Sequence, residues 1–195
     1  MTPAGAEHGG RWRTADIVLA AVLAVAFGAV FQAWNVVWEA TSWALPPARG
    51  IIYGVWMLPA VVVPLIIRRP GAALLAETVA AVAEALFGAP WGLGLVVYGL
   101  AQGAAAELPF AFGLYRQWGM PLAVAAGAAA GLAGALLDLA FYYPAWGADW
   151  MLIYVGLVAA SSGAIAGFGG WLLVRALVRT GVLSAFPVGR DQPEV

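Results

Sequence analysis

The sequence predicts an all-α, polytopic membrane protein: a compact bundle of about six transmembrane helices with both termini in the cytoplasm. Three observations carry this. Apolar residues fill 64% of the 195 positions and charged residues only 10%, with no lysine, too few charges to cover the surface of a soluble domain. The apolar residues gather into blocks long enough to cross a hydrocarbon layer. Alternating those blocks across a bilayer puts Arg11, Arg13, Arg68, Arg69, Arg116, Arg175, Arg179 and Arg190 on one side and only Arg49 on the other, which makes the arginine-rich side cytoplasmic. A net charge of −1 gives no electrostatic reason to expect nucleic acid or an acidic partner. The absence of cysteine excludes disulfides, thiolate metal sites and cysteine nucleophiles.

Residues 1–13 are polar, glycine-bearing and basic at the end, and read as a short cytoplasmic tail before a membrane domain over 14–180. The first apolar block, 17–31, continues into Gln32, Ala33 and Trp34 with no small-residue cleavage box, so it is a mature helix rather than a cleaved signal. Further blocks follow at 50–67, 71–87, 91–113, 120–142 and 150–178, the third short and the last long enough to tilt or protrude. Residues 181–195 read as a cytoplasmic C-terminal tail.

The outward loops, near 34–49, 87–91 and 143–150, are rich in large aromatics: Trp34, Trp38, Trp43, Trp91, Tyr142, Tyr143, Trp146 and Trp150. An interfacial belt accounts for part of them. The inner edge carries fewer, Trp12, Tyr115 and Trp118, and aromatic walls around an outward-facing pocket account for the excess.

Small residues recur at i, i+4 on several spans: Ala20, Ala24 and Gly28 on the first, Gly127, Gly131 and Ala135 on the fifth, Gly163 and Gly167 on the last. Such rows let helices approach closely in lipid. Internal packing is one reading and docking of another membrane subunit is the other. The row Ala20, Ala24, Gly28 is the candidate docking face, so Ala24→Trp is expected to abolish complex assembly and spare ligand binding.

Ionisable groups within spans are costly unless they face partners, water or ligand. Glu77 and Glu84 lie seven apart on one face of the third span; Gln102 and Glu107 follow on the fourth and Asp138 on the fifth. No arginine lies within the spans to neutralise them, so the acids await a cation, protons or hydrogen-bond donors. Glu84, Gln102 and Asp138 fall in the middle-to-outer zone, where they can join the aromatic loops around one cavity. Glu77 and Glu107 fall nearer the cytoplasm, with a structural, protonated or helix-capping role as open as a functional one.

Several chemistries are excluded. No Walker sequence occurs, so no P-loop binds ATP. The single histidine, His8, lies in the tail, which removes a histidine metal site or triad. Ser161 and Ser162 lie in the last span with no histidine or lysine in any span to serve as base. The sequence therefore predicts no enzyme, no cofactor and no metal.

The order DIVLAAVLAVAFGAVFQAWN (16–35), YGVWMLP (53–59), RRPGAALLAETVAAVAEALFGAPWG (68–92) and GLAQGAAAELPFAFGLYRQWG (99–119) resembles the YkoE-type substrate-binding (S) components of energy-coupling factor (ECF) vitamin transporters. Its most specific parts are the run ending at Glu77, the block from Glu84 to Gly92 and the block from Gln102 to Phe110. The resemblance implies a six-helix bundle that captures thiamin, or a pyrimidine precursor of it, from outside. It also implies a membrane coupling subunit and two cytoplasmic ATPases as partners. Thiamin is a cation with an aminopyrimidine ring, suited to aromatic faces and to a carboxylate acceptor. Glu84 is therefore expected to contact the ligand. Gln102, Asn35, Trp34, Trp38, Trp91, Tyr98, Asp138, Tyr142 and Trp146 are expected to form the rest of the site. An S component for another vitamin or a hard cation is a second reading, and a non-transport assembly or sensing protein a third.

Overall fold

The computed structural model describes residues 12–41, 43 and 45–190; residues 1–11, including His8, and 191–195, which the sequence reading assigned to tails, lie outside them. The described residues form helices α1 (Thr14–Ala40), α2 (Leu58–Ile67), α3 (Ala72–Leu86), α4 (Leu95–Phe112), α5 (Met120–Phe141), α6 (Ala148–Ser162), α7 (Gly170–Arg179) and α8 (Pro187–Arg190), with no strand among them. A long 3₁₀ segment, Pro46–Met57, leads into α2, and a π-helical turn, Gly163–Gly169, joins α6 to α7. Among the described residues, five helices are long and apolar enough to cross a membrane, with the 3₁₀ segment and α2 counting as one span and α6 to α7 as another. Helix α3, at 15 residues, rises only about 22 Å.

α2 is the axis of the bundle. Its sequence LPAVVVPLII has no polar face, and every residue from Pro59 to Ile67 is buried, as an all-round apolar helix must be unless it faces lipid. Helices α1, α3, α4, α5, α7 and α8 pack around it. Large apolar side chains on the outer helices, such as Val18, Val22, Leu100, Leu136 and Leu152, point outward, a surface that only a bilayer covers well.

The N-termini of α2 and α3, which lack a capping side chain of their own, are capped from neighbouring helices. Glu107 of α4 accepts the backbone N–H groups of Gly71 (2.6 Å), Ala73 (2.9 Å) and Leu74 (3.4 Å) at the start of α3. Glu77 of α3 accepts the N–H of Ala60 (3.0 Å) in the first turn of α2. Both satisfy donors that a helix start leaves orphaned, and each puts carboxyl oxygens at the positive end of the dipole. At the same end of the bundle as Glu107, Asp16 is fully buried and pairs with Arg13 (2.9 Å) and Arg69 (3.2 Å), tying α1 to the α2–α3 turn.

The rows of small residues lie in seams. Ala20 and Ala24 are 0% exposed, and a Cβ at Gly28 would stand 2.6 Å from the Ala83 Cβ and 2.9 Å from the Ala80 carbonyl on α3. The row expected to dock another subunit is buried within this chain, with Gly28 packed on α3. Gly127 and Gly167 likewise let α5 approach the π-helical turn, with a Cβ at Gly167 falling 2.5 Å from Val124 Cα. Ser161 Oγ donates to the Gly50 carbonyl (2.7 Å), pinning α6 to the 3₁₀ segment.

Two boundaries differ from expectation. α1 runs to Ala40, so Trp34, Asn35 and Trp38 sit on its last turns and not in a loop. The C-terminal tail expected from 181 begins as turns and α8, with Leu183 buried and α8 packed on α2.

Candidate functional site

A cavity of about 390 Å³ lies between the ends of α1, α3, α4 and α5 and the 3₁₀ segment. Its wall includes Trp38 and Glu39 from α1, Arg49, Tyr53 and Trp56 from the 3₁₀ segment, and Glu77, Ala81 and Glu84 from α3. Trp91, Leu95, Tyr98 and Gln102 line it from α4 and the turn before it, and Asp138, Tyr142 and Tyr143 from the end of α5. Trp91 reaches the cavity from the turn between α3 and α4.

Two of its acids, Glu84 and Asp138, are held by hydrogen bonds from neighbouring helices. Glu84 is buried and accepts a hydrogen bond from Asn35 Nδ2 at 2.8 Å, a bond made possible by the extra turns of α1. Asp138 accepts from Tyr98 Oη (2.7 Å) and Tyr154 Oη (2.6 Å), which fix its carboxylate from α4 and α6. Gln102 and Tyr53 meet over Gly134, where an added Cβ would lie 2.5 Å from Gln102 Nε2 and 2.8 Å from Tyr53 Oη; the glycine makes the space they share. Trp38, Tyr53 and Trp56 pack edge to face with centroids 5.1 to 6.0 Å apart, an arrangement their quadrupoles favour. Beyond the end of α5, burial pushes the Tyr143 phenol above its ordinary pKa, and the Asp138 charge adds to this. Chemically, the cavity offers carboxyl acceptors, an amide and aromatic faces.

A family model described as the permease component of an ABC-type cobalt transport system matches residues 15–133. A relative from Bacillus subtilis (strain 168), named as the HMP/thiamine permease protein YkoE, is 30% identical over 182 residues, covering 92% of each chain. A crystal structure of an S component of an ECF transporter matches with a TM-score of 0.89 and 30% identity, covering 93% of both chains. This chain belongs to the YkoE-type S components of ECF transporters. It is a multi-pass membrane protein and a transporter component, not an enzyme.

In this S component the structure brings Glu84, Gln102, Trp38, Trp91, Tyr98, Asp138 and Tyr142 to one cavity. Asn35 stands behind Glu84 as its donor. Trp34 does not reach the cavity: its Nε1 donates to the Ile52 carbonyl (3.0 Å), which fastens α1 to the 3₁₀ segment. Trp146 forms a second layer, stacked at 4.0 Å on Tyr143. Glu107 caps α3 away from the cavity, whereas Glu77, placed by sequence nearer the cytoplasm, lines it. Tyr53, Trp56, Glu39 and Arg49 were not among the residues expected at the site. Arg49 carried a signal as the lone arginine of the opposite side; Tyr53 and Trp56 lay within YGVWMLP, where aromatics in an apolar span look like core.

Proposed function

We propose that this S component captures thiamin, or a hydroxymethylpyrimidine-type precursor of it, from outside the cell and delivers it by docking on a membrane coupling subunit driven by two cytoplasmic ATPases. In this reading the chain crosses the bilayer six times, α3 included, with both termini in the cytoplasm and the cavity open to the outside. The observation that carries it is the cavity itself: Glu77, Glu84 and Asp138 share it with Trp38, Tyr53, Trp56, Trp91 and Tyr98. An aminopyrimidine is a flat ring with an exocyclic amino donor, which suits a carboxylate acceptor between aromatic faces. The name of the Bacillus relative points to the same ligand class. The arginines at the end of the bundle opposite the cavity support the orientation.

Isothermal titration of the purified chain in detergent tests the ligand assignment. Glu84→Gln and Gln102→Ala are each expected to weaken thiamin binding by about ten-fold or more, the scale of one lost hydrogen bond to a charged or buried group. Unchanged affinity in both variants sinks the assignment.

A further inference from the structure

Among the described arginines, Arg49 is the one that lines the cavity. It lies in the 3₁₀ segment. Its guanidinium lies 4.0 Å from the centre of the Trp38 ring, and its Nη2 donates to the Trp38 carbonyl at 2.6 Å. Its Nε is buried with no hydrogen-bond partner. Glu39 lines the same cavity, but its carboxyl makes no ion pair with Arg49 among the described residues. A cation therefore rests on an indole face in a cavity whose other ionisable side chains are carboxyl groups and phenols.

That indole face is also where a cationic ring entering the cavity would gain most, because an aromatic quadrupole attracts any cation placed over it. Two cations cannot share the place: like charges a few ångströms apart repel, more strongly where water is scarce. Releasing Arg49 leaves no orphaned acceptor, since the Trp38 carbonyl also accepts from Thr41 Oγ1 (2.8 Å) and Thr41 N (3.2 Å). The guanidinium is thus held by contacts that can be given up without unfolding the end of α1.

We propose that Arg49 is a tethered cation that occupies the Trp38 face and sets the selectivity of the cavity by charge, favouring a neutral aminopyrimidine over a ligand that carries a cationic ring. A neutral ring enters beside the guanidinium, whereas a thiazolium must displace it or bind without the Trp38 face. This rests on the capture of aminopyrimidine compounds argued above.

Titrations of the full chain in detergent with two probes, thiamin and 4-amino-5-hydroxymethyl-2-methylpyrimidine near neutral pH, separate the two ideas. Arg49→Gln is expected to raise the ratio of thiamin to pyrimidine affinity by about ten-fold, the upper range of a partly desolvated cation–π contact. Arg49→Met, which keeps the aliphatic bulk, is expected to do the same and serves if the first variant fails to fold, as judged by its melting temperature. An unchanged or lowered ratio in a folded variant overturns the charge filter while leaving capture intact. If neither probe binds the wild-type chain, capture itself falls and the filter falls with it.

Discussion

A methyl group at Gly134 would collide with Gln102 Nε2 and Tyr53 Oη, so the hydrogen atom there is part of the site. Gly134→Ala is expected to raise the Kd for thiamin by about ten-fold, the scale of modest overpacking, with a smaller effect on the melting temperature than a seam substitution has; a titration and a melt on the same sample check this. The sequence made some site residues visible and hid others. Glu84 and Asp138 stood out because each is an acid in an otherwise apolar helix. Glu77 looked remote because it falls in the first half of α3, the half that the sequence reading places nearer the cytoplasm. What brings it into the cavity is the late start of α2 at Leu58, which places an uncapped first turn, and the Ala60 N–H, beside it. Nothing in a single chain's residue types announces that encounter.

Helix positions were legible from hydropathy, since apolar runs and arginine breaks mark where lipid begins and ends. The end of α1 was not. Gln32 and Asn35 interrupt the apolar run and suggest a loop, but the helix continues because Asn35 is buried against Glu84. The role of the first small-residue row was equally hidden: close packing inside a bundle and docking outside it need the same residues. With Ala24 fully buried, Ala24→Trp is now expected to abolish folding and ligand binding together, in place of assembly alone. Size-exclusion profiles and a thiamin titration distinguish the outcomes; a monodisperse variant that still binds would restore the docking face. Glu107→Ala removes the acceptor for the N–H groups that open α3 and is expected to cost about 1–2 kcal/mol of stability, read as a lower melting temperature with ligand affinity largely kept.

At the scale of the whole molecule, the separation of cavity from arginines implies that the protein has two chemically distinct ends. The chain contains no cysteine, so single cysteines report orientation without background. Ala145→Cys and Ser184→Cys both lie at exposed positions. In intact cells the first is expected to react with a membrane-impermeant maleimide and the second only after permeabilisation; the reverse pattern would invert the topology.

The short rise of α3 has an electrical consequence. In the proposed orientation, a helix of about 22 Å starting at the inner boundary stops about 8 Å short of the far side of a 30 Å layer, and Glu84 lies two residues below its end at Leu86. A charge bound there has crossed about a third of the membrane's voltage drop. Since a full crossing is worth about 2.3 kcal/mol per 100 mV, an inside-negative potential of that size tightens the hold on a monovalent cation by about 0.8 kcal/mol, or about four-fold. A neutral ring feels none of it. Comparing thiamin binding in polarised and depolarised proteoliposomes, oriented with the cavity outward, would read this directly: the energised membrane itself becomes a selective force on what the cavity retains.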